Sequence, residues 1–545
     1  MTTVDTHAPA TSAGGGLATV ADWITSTDHK KIGRLYVGLS SLALVGAVVV
    51  AALLAFERAD SASDLLPVES VTQLFSMYRF GLTFLVALPL LVGIGLIVVP
   101  LQVGARSNAF PRVAAAGFWS WAIGAVLAVI AIAANGGPNG GNRRFVDLFT
   151  LSFGLVALGI VATALSLAAT VLTARAPGMN MRRIPWFSWS VLVSSLALLV
   201  VLPIVIGDLL YVFLAHRYPS TSELSGNRAL GRWVGFGVTQ PTTLVFALPV
   251  LGFFADVVAT ATNTRLRPRG VLLGTIGLVG TAMFAAAVQA PVVIRSAFSG
   301  LTAGQKLSDL VPFALVHVLP LLGVLLSVAL VAGALRTKPT VGAPLVFALF
   351  GALLMLLGAA AGALNHIGDA GLVGTTFEEG AWLAVVYGAV LAALGATAHW
   401  MPKWTGRTMP MKATLPLALL GFLGAVLASV PMMIAGFADQ PGEVFPAVEA
   451  GLPGPTNFSY SGPSGLWNSL SGVGHVLVLL AVLAFLALEL RSSVKGERSG
   501  DDPWNGHTLE WGTTSPAQEH NFVDIHVVKS AEPLLDLKPS TRSEA

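Results

Sequence analysis

TQPTTLVFALPVLGFFADVV, residues 239–258, is an apolar run near the middle of the chain, long enough to cross a bilayer as one helix. Gln240-Pro241-Thr242 opens it, Pro249 interrupts it, and one acid, Asp256, lies near its end. A carboxylate in hydrocarbon is costly unless neutral, paired or hydrated, so Asp256 needs a partner or a proton. Reading outward, runs of the same kind fall at roughly 33–56, 80–103, 113–135, 147–174, 186–215, 233–262, 270–294, 310–335, 341–364, 380–401, 413–437 and 466–490. The pattern predicts an all-α membrane protein, a bundle of twelve transmembrane helices.

Composition leads the same way. Of 545 residues, 54% are apolar and 11% charged, with a mean hydropathy of +0.76, which excludes a soluble globule of this size. There is no cysteine, so disulfides, thiolate metal sites and thiol nucleophiles are excluded. The net charge of +3 and pI near 9.2 reflect basic residues in loops between apolar runs, and no nucleic-acid partner is expected. Lys30, Lys31, Arg182, Arg183, Arg265, Arg267 and Arg269 are among those on the side of the termini; Arg58, Arg79, Arg143 and Arg144 fall on the other. An excess of about twofold predicts both termini in the cytoplasm and a chain integral to the cytoplasmic membrane. The expected organisation is a polar segment 1–32 with no signal-peptide core, a transmembrane domain 33–490 and a tail 491–545. The longest outer loop, about 438–465, carries Pro441, Pro446, Pro453, Pro455 and Pro463, and reads as either a lid or a solvated loop. No internal repeat of the transporter kind is evident.

Five stretches carry a resemblance. They are the run 239–258, Trp23-Ile-Thr-Ser-Thr-Asp-His-Lys-Lys-Ile-Gly33, Val99-Pro-Leu-Gln-Val-Gly-Ala105 with Ala109-Phe-Pro-Arg112, Trp400-Met-Pro-Lys-Trp-Thr-Gly-Arg407, and Asp502-Pro-Trp-Asn-Gly-His-Thr-Leu-Glu-Trp511. Together with the order of the spans they resemble cytochrome c oxidase subunit I, of the haem–copper oxidase superfamily, over nearly the whole chain. The resemblance implies that family's twelve-helix bundle, its haem and copper, oxygen reduction coupled to proton pumping, and partner subunits like II and III. It also locates departures. A G-H-P-E-V-Y motif in the sixth helix supplies a copper ligand, a relay glutamate and a cross-linked tyrosine; here the places read Thr239, Gln240, Pro241, Thr242, Thr243 and Leu244. The low-spin haem ligand of the second helix falls on Tyr78, and the two haem ligands of the tenth fall on Gly380 and Trp382. The copper-binding histidine pair of the seventh span is missing, since no histidine lies between His216 and His317. The acid and the lysine of the proton channels become Ser107 and Val324, and Gly436-Phe-Ala-Asp-Gln440 stands where an arginine pair holds propionates. No haem, copper or catalytic residue is therefore expected.

Other polar residues remain as candidates. Of ten histidines, only His317 and His475 read as intramembrane, and two imidazoles cannot build a site that uses six. Joint ligation of one haem by this pair is disfavoured, because spans eight and twelve are not expected neighbours; each is expected to bond to an adjacent helix. Met432 and Met433 read as packing rather than copper ligands. Asp208 and Asp256 read as remnants of a proton path or as protonated or helix-capping acids. Gln240 and Gln289 are expected to occupy volume left by missing ligands, and Trp382, Tyr78 and Phe80 to fill the haem cavities. The expected function is a non-catalytic component or scaffold of a respiratory complex, a pseudoenzyme held in a lipid bilayer with subunits like II and III. The alternatives are an active terminal oxidase of aerobic electron transport and a proton or solute conduit using Asp208 and Asp256.

Overall fold

The computed structural model describes residues 16–59, 65–138, 140–218, 241–287, 292–295, 302–442, 463–523 and 527–537. Among these, twelve helices are long and apolar enough to cross a membrane. Numbered one to twelve, the spans are His29–Ala59, Ser70–Gln102, Pro111–Ala133, Arg143–Thr173, Trp186–Arg217, Leu244–Thr262, Arg269–Ala286, Ala303–Thr337, Ala343–Asn365, Thr376–Thr405, Met411–Phe437 and Ser464–Lys495. Helix is the form such runs must take in hydrocarbon, where every backbone amide has to bond within its own segment. Consecutive spans pack side by side, and span twelve closes onto span one. Spans two and ten are buried along the whole of their apolar windows and form the centre of the bundle.

Close approach rests on glycine. A Cβ on Gly117 would come within 2.7 Å of the Gly159 carbonyl and one on Gly159 within 2.5 Å of the Gly117 carbonyl, which locks spans three and four together. Gly351 and Gly388 repeat the arrangement between spans nine and ten, at 2.7 and 2.8 Å. Backbones meet there with no side chain between them.

Several helix boundaries differ from the apolar windows. Span two is helical from Val68 rather than 80, span eight from Ala303 rather than 310, and span one from His29, inside the expected polar segment. An apolar window stops at the first polar residues, whereas the helix runs on where those residues find partners. Gln73 donates to Asn135 Oδ1 and to the Gly140 carbonyl, both at 3.0 Å. Thr302 and Gln305 form a capping box that starts span eight. His29 is buried with Nδ1 2.7 Å from the Leu96 carbonyl.

Two spans widen into π turns, Gly81–Ala87 in span two and Ala314–Val318 in span eight. Pro89 and Pro320 follow just after, and a proline that clashes with the carbonyl four residues back is accommodated by a wider turn there. Most of the 438–465 loop lies outside the described residues.

Candidate functional site

Tyr78 and Trp382, two of the places where the resemblance puts haem ligands, stand in contact at the centre of the bundle. Their rings meet edge to face with centroids 5.3 Å apart, so no slab of space separates them. Tyr78 donates its hydroxyl to Glu379 Oε1 at 3.1 Å, and Trp382 Nε1 donates to Thr83 Oγ1 at 3.3 Å. Arg58, at the end of span one, completes the cluster by donating to Glu379 Oε2 at 3.0 Å. Both side chains of this ion pair are buried, and Arg58 reaches the Gly442 carbonyl as well. Beside it, the Arg79 guanidinium lies 4.8 Å over the Trp382 ring and 3.7 Å from Glu378. Charge is thus balanced inside the bundle by protein groups alone, as a buried carboxylate requires.

The residues at these places do not fit a haem. A phenol can ligate iron only as phenolate, and Tyr78 uses its proton on Glu379. Indole offers no lone pair. At Gly380 a Cβ would come within 2.6 Å of the Ser429 carbonyl and 2.9 Å of the Met433 amide, so span eleven occupies the room an imidazole would need. The neighbouring cavity, between spans eight, nine and ten, measures about 50 Å³, against roughly 300 Å³ or more for an ordinary small-ligand site. Among the described residues no three His, Asp or Glu side chains are gathered where they could hold a metal.

His475 and His317 lie in different surroundings. His475 Nδ1 is 2.6 Å from the Tyr387 hydroxyl, with Tyr78 edge-on to its ring at 6.2 Å. His317 stacks instead on His366 at 4.2 Å and lines the cavity. Phe80 is a correction: it packs against Phe84, Phe149 and Phe153, away from Trp382. Two residues along a helix turn the side chain through about 200°, so Tyr78 and Phe80 cannot share a face. Met432 and Met433 are buried in span eleven, where Met433 packs against Gly380. Gln240 and Gln289 lie outside the described residues. Asp208 is half-buried on span five, with no bonded partner among the described residues.

Asp256 is tied at the end of the bundle that carries both terminal segments. Its carboxylate accepts from the backbone N–H of Trp186 and of Phe187, each at 3.1 Å, and from Gln102 Nε2 at 2.9 Å. It therefore caps the first turn of span five, a helix with no cap of its own. Gln102 Oε1 accepts from the Ser188 amide and hydroxyl, while Nε2 also donates to Glu510 at 3.0 Å. Glu510 comes from the tail, and Trp400 Nε1 reaches the same oxygen at 3.3 Å. Lys403 donates to the tail carbonyls of Asp501 and Thr513. The tail is fastened to the membrane domain by buried polar contacts that sequence spacing gave no means to pair.

Burial pushes the Glu510 carboxyl above the usual carboxylate range, against the hydrogen bonds from Gln102 and Trp400. The folded chain thus holds this proton more tightly than the unfolded one, so docking of the tail is strongest at low pH and weakens as pH rises through the raised value. Glu510→Gln is expected to flatten that dependence. The rate at which a protease cuts the tail, followed from about pH 5 to about pH 8, checks this, and an equally steep profile in the variant would contradict it.

Known proteins share this architecture. The family described as Cytochrome C and Quinol oxidase polypeptide I matches residues 31–477. Cytochrome c oxidase subunit 1 of Bacillus subtilis is 26% identical over 553 residues, covering 94% of this chain and 82% of that protein. Putative cytochrome c oxidase subunit 1-beta of Streptomyces coelicolor is 27% identical over 548 residues, covering 94% and 90%. Heme-copper oxidase subunit I+III of Aeropyrum pernix is 28% identical over 541 residues, covering 94% and 63%. In fold, the chain is similar to a subunit of a heme-copper terminal oxidase dimer solved by cryo-electron microscopy, with a TM-score of 0.62, 15% identity, and coverage of 86% of this chain and 84% of that one. With a family match over most of its length, twelve apolar helices and a shared fold, the chain belongs to the cytochrome c and quinol oxidase polypeptide I family and is an integral membrane protein resembling cytochrome c oxidase subunit I.

Proposed function

We propose that this chain is a haem- and copper-free member of its family, a pseudoenzyme that acts as a component or scaffold of a respiratory membrane complex. One observation carries the reading: Arg58, Tyr78 and Glu379 form a closed, buried network at the place where the family would seat an iron ligand. A salt bridge and a phenol hydrogen bond there supply the cohesion between spans one, two and ten that a cofactor would otherwise mediate. A bundle can keep its packing surfaces after its chemistry is gone, because fold and function are separable. Partner subunits like II and III are the natural occupants of the retained outer faces. The Aeropyrum relative, a heme-copper oxidase subunit I+III, supports such an assembly. The same reading places both termini in the cytoplasm, following the excess of Lys and Arg on their side.

Reduced-minus-oxidised spectra and metal analysis of the purified full-length chain test this. The expected result is no Soret or alpha band approaching one haem per chain, and no stoichiometric copper. Haem at one or more equivalents would restore the oxidase reading. Co-purification with subunits like II and III, identified by mass spectrometry, is expected alongside.

A further inference from the structure

Beside Trp382 the bundle holds a small cavity lined by His317, His366, Asn365 and Glu378 among apolar residues such as Leu244 and Val385. Its polar groups are unlike the rest of the interior. Asn365 is 1% exposed, and neither its amide nitrogen nor its amide oxygen makes a hydrogen bond among the described residues. His317, 9% exposed, leaves Nε2 in the same condition while the ring is held by the Val292 backbone. An unpaired buried amide is costly, more so at membrane depth, and native folds seldom leave one without a reason. The π turn that widens span eight contains His317 and presents it to the cavity, a distortion that recurs at functional sites.

The chemistry of the lining selects the ligand. His366 Nδ1 lies 2.7 Å from the Gly362 carbonyl, which can only accept, so the proton sits on Nδ1 and Nε2 is the lone-pair nitrogen. The same logic applies to His317. The His317 lone pair, the Asn365 amide oxygen and the Glu378 carboxylate make a site rich in acceptors that calls for a small hydrogen-bond donor. Although Glu378 lines the same cavity, it and the two rings are not gathered closely enough to hold a metal among the described residues. The volume, about 50 Å³, accommodates roughly four waters at about 10–15 Å³ each.

We propose that His317 and Asn365, in the cavity that His366 also lines, form a water-binding site where span nine ends and span ten begins, with a short hydrogen-bonded water chain as its ligand. It rests on the haem-free reading proposed above, which the spectra test separately. Water there satisfies the Asn365 amide and the His317 lone pair at once, which no side chain among the described residues does.

Hydroxyl-radical footprinting with mass spectrometry, on the full-length chain in detergent, tests it, because radicals generated from bound water label the side chains touching that water. His317 and Trp382, 9% and 4% exposed, are expected to be oxidised at least about threefold faster than Phe253 and Tyr36, which at 1% and 0% are packed away from the cavity. Gly362 lines the cavity, and a Cβ there would meet nothing within 4 Å, so Gly362→Leu is expected to take up room in the chamber. That variant is expected to bring His317 and Trp382 down to the level of the dry controls. Labelling of the unaltered chain at control level would overturn the proposal, and so would labelling that Gly362→Leu leaves unchanged. The first of these does not depend on any variant folding.

Discussion

Glu379→Leu is expected to lower the stability of the folded chain by about 3–5 kcal/mol, because it strands the Arg58 guanidinium in the interior without its counter-charge. The pair is 3.0 Å apart with both side chains almost wholly buried, so solvent does not screen the loss. Tyr78 loses its acceptor in the same step. Removing both charges should hurt far less: Arg58→Met with Glu379→Leu replaces the pair by apolar volume and is expected to recover most of the difference, as buried ion pairs exchanged whole often do. Tyr78→Phe, which deletes one hydrogen bond and keeps the ring, is expected to cost about 1 kcal/mol. Thermal unfolding in detergent, followed for Arg58→Met, Glu379→Leu and the double, reads the coupling of the pair as a cycle. If the singles simply added in the double, Arg58 and Glu379 would not be coupled and the network would not be what holds spans one, two and ten together.

Asp256→Leu is expected to be the second large effect, a loss of about 3 kcal/mol, because three buried donors lose their acceptor together. The donors are the first two backbone amides of span five and the side chain of Gln102. Asn at the same place keeps one acceptor oxygen but turns an N–H₂ toward groups that are themselves donors, so Asp256→Asn is expected to cost about 1–2 kcal/mol. This separates a cap from a conduit. If Asp256 carried protons, asparagine would abolish flux in proteoliposomes while leaving the melting temperature in place. With a capping role the melting temperature falls and any background flux is unaltered. Measuring both on the same preparation decides between them.

How much of this was legible beforehand differs by position. The twelve spans and their order could be read from apolar runs, because hydrocarbon leaves the backbone no other regular form. The starts of spans two and eight could not, since Gln73 and Gln305 look like loop residues until their partners are known. Tyr78 and Trp382 could be named from the resemblance, but nothing in linear spacing showed that they touch. Arg58 read only as a loop charge on one side of the membrane, and Glu379 as an acid of the outer loop before span ten. Their pairing, across 321 positions of sequence, is the central feature of the site. His366 looked like a loop-edge histidine, and its stacking on His317 depends on a π turn that sequence windows do not register.

The five stretches that carry the resemblance show the same division. Four of them, containing His29, Gln102, Lys403 and Glu510, meet at the end of the bundle that holds the terminal segments, where His29 bonds to Asn521 and Gln102 to Glu510. The fifth joins them there through Asp256. By itself the amino-acid order determined that the chain is a membrane bundle of twelve helices, because length, hydropathy and residue type are properties of the string. Only the tertiary structure decided which charges neutralise one another, which helix Asp256 caps and where polar groups face an internal cavity, because those depend on distances between residues that the string leaves far apart.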